Sequence, residues 1–157
     1  MLLHHAGRND EAWGILQQAL KLEPNFWITH ITLAKVLIQQ RKYAEAIAEL
    51  EKAKELSYGN SEAIGSIGYV LALAGDKAKA RSVLEELKNL SRERYIPPSN
   101  VALVYAGLDD QNEALGWLER ACDERDVRLT ILKVDPRWDS LRDNPRFVAI
   151  LKRIGLQ

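Results

Sequence analysis

One nine-residue phrase recurs along this chain: EAWGILQQA at 11–19, EAIAELEKA at 45–53 and EALGWLERA at 113–121. Ala12, Ala46, Ala80 and Ala114 stand 34 residues apart, and so do Leu16, Leu50, Leu84 and Leu118. A third series, Ala19, Ala53, Leu87 and Ala121, departs from alanine once. A fixed period of this length restricts the chain to a repetitive architecture, in which each unit buries its apolar face against its neighbours. Within a unit the three positions are spaced i, i+4, i+7, which is one face of an α-helix. Alanine at the outer two lets a neighbouring helix approach closely, and leucine between them fills the gap.

A second helix is predicted before each of the last three phrases or their equivalents: FWITHITLAKVLIQQ (26–40), SEAIGSIGYVLALAG (61–75) and PPSNVALVYAGL (97–108). Their apolar residues keep helical spacing, as in Leu33, Val36, Leu37 and Ile64, Ile67, Leu71. Short polar turns join the pairs: RKY after Gln40, DK after Gly75 and DDQ after Leu108. No stretch alternates at period two with β-branched enrichment, so no sheet is expected.

These 34-residue helical hairpins resemble the tetratricopeptide repeat. The residues that carry the likeness are Leu33, Ala34, Ala46, Leu50 and Ala53 in the first complete unit, and Gly68, Ala80 and Leu84 in the second. The third has Val101, Ala102, Tyr105, Ala114, Leu118 and Ala121, and Pro24 stands where a unit-closing proline belongs. His30 and Ile64 replace the signature tryptophan, and Tyr58 replaces the proline expected after Ala53. The resemblance implies an all-α, right-handed solenoid over residues 1–125, with a truncated first unit at 1–26 and full units at about 27–60, 61–94 and 95–125. Residues 1–6 read as the tail of a first helix, with the next helix starting near Asn9 and leaving an edge that includes Trp13 and Leu20.

Residues 126–157 read as a C-terminal helical cap. Asp135-Pro136 and Asn144-Pro145 each pair an N-cap with a proline at the first helical position, predicting helices near 136–142 and 145–154 that end at Gly155. Trp138, Leu141, Phe147, Ile150 and Leu151 are expected to cover the open face of the last repeat. From 95 to 156 the chain is similar to the closing segment of large bacterial tetratricopeptide proteins. In that group such arrays often follow a winged-helix, Ser/Thr kinase or TolB-like region. Asp109 stands where glycine is usual, and aspartate tolerates the left-handed conformation such a turn needs.

Little here points to chemistry. Lys plus Arg and Asp plus Glu are both 22, so no global charge steers the chain to nucleic acid or an anionic membrane. The segment after 126 is net +4 and the remainder −4, for which pairing with the acidic body is the simpler account. The start, MLLHHAGRND, lacks the basic and apolar regions of a signal peptide, and the weakly polar run 63–75 is too short to span a bilayer. This points to the cytoplasm, while an extracytoplasmic part of a larger protein stays open. His4 and His5 project about 100° apart on a helix, a poor metal pair. His30 and Cys122 read as core residues, and Gly65 and Gly68 as close-packing residues rather than a phosphate loop. Asp135, Asp139 and Asp143 recur every four residues, but capping accounts for the first and the third precedes the next cap. No catalytic residue, metal or cofactor is therefore expected.

The resemblance implies that the first helices line a concave groove for a partner segment. Its positions here are Ile28, Ile31, Lys35 and Gln39, then Glu62, Gly65, Tyr69 and Leu73, then Ser99 and Leu103. The basic clamp that some members use for a terminal carboxylate is unmatched, because Ile31, Gly65 and Ser99 occupy its places. Packing of several of these residues against neighbouring helices or the cap is the competing account. The expected function is a non-catalytic module binding a protein or peptide in the groove, as the regulatory or scaffold part of a larger bacterial protein. The alternative is a self-assembling piece, a homo-oligomer through its N-terminal edge.

Overall fold

The computed structural model describes residues 2–156, with side chains from Arg8 onward. Every regular element among them is helical: α1 (Leu2–Leu22), α2 (Trp27–Gln39), α3 (Tyr43–Leu56), α4 (Ser61–Leu73), α5 (Lys77–Leu90), α6 (Pro98–Gly107), α7 (Gln111–Asp123) and α8 (Pro145–Arg153). Two 3₁₀ segments, Val127–Ile131 and Pro136–Leu141, separate α7 from α8. Helices α2/α3, α4/α5 and α6/α7 form consecutive hairpins, stacked as an α-solenoid.

The three hairpin turns share one design, set by residues 34 apart. Arg41, Gly75 and Asp109 each take positive φ, at 59°, 93° and 60°. In each turn the next amide reaches back to the helix: Lys42 to the Leu37 carbonyl, Asp76 to Leu71 and Asp110 to Tyr105, at 2.9–3.0 Å. This is the Schellman closure, which satisfies carbonyls left open by the helix end. Asp76 and Asp110 then cap the following helix, accepting from the amides of Lys79 and Glu113. Two residues thus end one helix and start the next, forcing the pair antiparallel.

The repeat series form the core. Ala46, Ala80 and Ala114 have no exposed surface, and Leu50, Leu84 and Leu118 are buried between the two helices each phrase contacts. Helix α4 is the most enclosed. A Cβ on Gly65 would stand 2.8 Å from the carbonyl oxygen of Asn100, and one on Gly68 would meet Val104 and Val83 at 2.9 Å. These glycines let α4 sit directly against α6, as the expected packing role requires. Asn100 Nδ2 donates to Ser61 Oγ at 2.9 Å across the same contact.

Two features differ from expectation. Helix α1 runs unbroken from Leu2, with no turn before Asn9. A single glycine, Gly7, costs a continuing helix only about 1 kcal/mol. His4 and His5 lie outside the residues whose side chains are described. The second difference is at 136–141, which is 3₁₀ rather than α and is preceded by an unanticipated 3₁₀ segment. The C-terminal segment lies on both helices of the last unit: α8 packs on α7, with Phe147 and Ile150 buried, and the 3₁₀ segment carrying Trp138 and Leu141 packs on α6. Buried Asp126 sets this path: its carboxylate accepts from the Ser99 amide at the start of α6 and from Arg128 N. That draws the chain back over the first helices before α8 returns to α7.

Candidate functional site: a cleft between the first helices and the C-terminal segment

The open stripe of α2 runs Ile28, Thr32, Lys35, Gln39, spaced i, i+4, i+7, i+11. Ile31 falls one residue off this stripe, about 100° around the helix, and is buried. It therefore offers no surface to a partner. Ser99 and Leu103 are also buried, in their case because the 3₁₀ segments lie over α6. Glu62 sits under the same cover, bridging Lys35 Nζ at 3.5 Å and Arg128 Nη2 at 3.7 Å. With Gly65 against Asn100, the C-terminal part of the expected groove is filled by the chain's own residues. The competing account given above holds for these positions.

Four of the expected residues converge. Lys35, Gln39, Tyr69 and Leu73 line a cleft of about 590 Å³ together with Ile38, Arg41 and Tyr43. Its opposite wall is the C-terminal segment, contributing Ile131, Val134, Pro136, Arg137 and the carboxylates of Asp135 and Asp139. Ile28 lines none of it. The rim is apolar: Leu73 is 37% exposed, Ile131 43% and Val134 74%.

The wall is held by charge. Arg137 binds Asp135 through Nε and Nη2, the latter at 2.7 Å, while its Nη1 reaches Ser66 Oγ on α4 at 3.4 Å. Burial pushes the Asp135 carboxyl upward, but the Arg137 hydrogen bonds and charge outweigh it and hold the group below the ordinary carboxylate value. Arg142 donates through Nη2 to the Asp135 carbonyl at 3.0 Å, bracing the turn between the two 3₁₀ segments. At the cleft floor, burial pushes the Tyr69 phenol up to about 12, with the nearby Arg137 charge opposing. Its hydroxyl therefore stays protonated at neutral pH and can donate.

The wall residues escaped sequence reasoning because Ile131 and Val134 sit in no helical or strand period. The one available signal was Asp135-Pro136-Arg137, an N-cap with a cation two residues on. His30 is buried, with Nδ1 2.6 Å from Glu49 Oε2 and Nε2 2.9 Å from the Pro24 carbonyl oxygen. Since that carbonyl only accepts, Nε2 carries a proton and donates. The ring thus joins the α1–α2 turn to α3 as a core residue. Cys122 is half-buried, and burial pushes its thiol upward, away from nucleophile behaviour. Among the described residues no group of three His, Cys, Asp or Glu side chains is placed to hold a metal ion, and no helix is long and apolar enough to cross a membrane.

Residues 3–63 match the tetratricopeptide repeat family. The chain is also similar to a Hsp70-Hsp90 organizing protein of Triticum aestivum, 26% identical over 160 residues. That match covers 95% of this chain but 26% of the relative, so the chain spans about a quarter of that protein's length. The 34-residue series, the stacked helical hairpins and these similarities together support a tetratricopeptide repeat architecture for this chain.

Proposed function

We propose that the chain is a non-catalytic interaction module that holds a segment of a protein partner in the cleft between α2, α4 and the C-terminal 3₁₀ segments. It does so as the regulatory or scaffold part of a larger bacterial protein. Tetratricopeptide repeats generally mediate protein–protein interaction, and the wheat relative's name describes an organiser of two other proteins. The observation that carries the reading is the rim of Leu73, Ile131 and Val134 around a cleft also lined by Tyr69. An apolar enclosure with a few convergent polar groups is what a bound side chain needs. Lys35, Arg41 and Gln39 on one wall, and Asp135 and Asp139 on the other, would orient the partner's backbone and polar groups.

A photo-crosslinking residue placed at Val134 tests this in cells of the source organism, with the same residue at Tyr58, 94% exposed and remote from the cleft, as control. A discrete adduct from position 134 that is absent from 58 and lost in a folded Leu73→Glu/Ile131→Glu variant is the expected result. Equal labelling from both positions, or an adduct indifferent to the double variant, would refute the cleft as the binding site.

A further inference from the structure

The three hairpin turns set a different residue at one left-handed position. Gly75 and Asp109 hold it in the second and third hairpins, and Arg41 holds it in the first, at φ 59°. Glycine adopts that conformation freely and aspartate tolerates it, whereas a long side chain is disfavoured there. Nothing inside the chain compensates Arg41. It is exposed, and among the described residues it makes no ion pair and no side-chain hydrogen bond. Its side chain instead lines the cleft.

The carboxylates of the cleft, by contrast, are already met by the chain's own arginines. Asp135 accepts from the Arg137 amide, Nε and Nη2, and Asp139 accepts from Arg142 Nε at 2.5 Å. Beside them, Glu62 lies between Lys35 and Arg128, at 3.5 and 3.7 Å, so that one carboxylate serves two cations. The charge left over is positive, and it sits on the α2 side. Repeat register sets it next to an apolar surface: Lys35 and Gln39 on α2 are equivalent to Tyr69 and Leu73 on α4, each 34 residues on.

We infer that the segment held in the cleft is acidic. A large apolar side chain of the partner enters between Leu73, Ile131 and Val134, and a carboxylate close to it along the same segment meets Arg41. The planar guanidinium can take both oxygens of that carboxylate, while Lys35 adds its charge as a point. A basic segment would meet Arg41 and Lys35 with no unpaired carboxylate to receive it. This inference rests on the function proposed for the cleft and adds the chemistry of the partner.

Selection of a phage-displayed library of random peptides on the wild-type protein tests it, followed by fluorescence polarisation of the enriched peptides against variants. The expected peptides pair Asp or Glu with a large aliphatic or aromatic residue. Arg41→Gly removes the charge and leaves the turn with the residue that Gly75 supplies in the next hairpin, so its circular dichroism should be unchanged. It should raise the dissociation constant of those peptides about fivefold, the upper range for one exposed ion pair. Binding should also weaken with added salt in the wild type, and less so in Arg41→Gly. Enriched peptides without carboxylates, or an affinity indifferent to Arg41→Gly, would overturn the acidic partner. The cleft would still stand if a folded Leu73→Glu/Ile131→Glu variant lost those peptides. Peptides that bind this double variant as well as the wild type, or no enrichment at all, would overturn both the acidic partner and the cleft.

Discussion

At Gly65 and Asp109 single side chains carry opposite constraints. Gly65 lies where α4 and α6 touch, and the nearest atom to any added Cβ is backbone, the Asn100 carbonyl oxygen at 2.8 Å. Backbone cannot rotate aside, so Gly65→Ala should destabilise by about 1–3 kcal/mol in urea unfolding, the range for overpacked cores. The propensity gain of alanine in a helix, about 1 kcal/mol, offsets only part of this. Asp109 is the reverse case. It holds φ at 60° in a turn where a side chain is not needed, and it is exposed. Asp109→Gly should raise stability by about 0.5–1 kcal/mol by removing left-handed strain, less the extra entropy of glycine in the unfolded chain. Both roles were legible in the sequence, glycine inside a helix as close packing and Asp109 as a left-handed turn. Arg41 and Tyr58, also at positive φ, were not, because neither residue type signals that conformation.

Each second helix works as an Ala–Leu–Ala wedge. Leu50 is fully enclosed between neighbouring helices, so Leu50→Ala should cost about 2–5 kcal/mol. Ala46→Leu should cost about 1–3 kcal/mol because α2 leaves it no room, and a neutral result would dissociate the alanine series from close packing. The hairpins could be read from sequence because their period repeats the same local rules four times, so each copy corroborates the others. The C-terminal segment is said once. Its caps at Asp135 and Asn144 were readable from local chemistry, both accepting from the amide two residues on. Its path over α6 was not, since it depends on Asp126 reaching a helix start 27 residues earlier in the chain. The cleft shares that limit, its α2 and α4 wall being periodic and its other wall not.

That segment also ties pH to the fold. Asp135 has its carboxyl lowered in the folded state, so its stabilisation is present above the unfolded carboxylate value and fades as pH falls through the folded one. Asp135→Asn should therefore cost about 1.5–3 kcal/mol at neutral pH, as a lost charged hydrogen bond. The gap between variant and wild type should narrow once pH drops below about 4. A gap that stays constant down to the acid transition would show that Arg137 draws its value from Ser66 rather than from Asp135.

Across the whole molecule, a solenoid is held by contacts between neighbours, so a local loss should stay local. Here the C-terminal segment complicates that rule. It joins α6 through Asp126 and Trp138, α4 through Arg137 to Ser66 and Arg128 to Glu62, and α7 through the Arg146–Glu119 pair, whose bonds are 2.9 Å. The last two hairpins are thereby clamped as one body, while α1 packs chiefly on α2. Leu141, completely buried at the end of the second 3₁₀ segment, is the place to separate the two regimes. Leu141→Ala should cost about 2–5 kcal/mol. In hydrogen exchange its effect should reach α4, α6 and α7 together, because all three lose the same clamp. Protection of α1 should be low in wild type and unchanged in the variant, since it opens by a separate local event. If protection fell only in α6, the segment would be a passive cover on one helix; if it fell equally in α1, the chain would unfold as a single unit and the neighbour-only rule would not describe it.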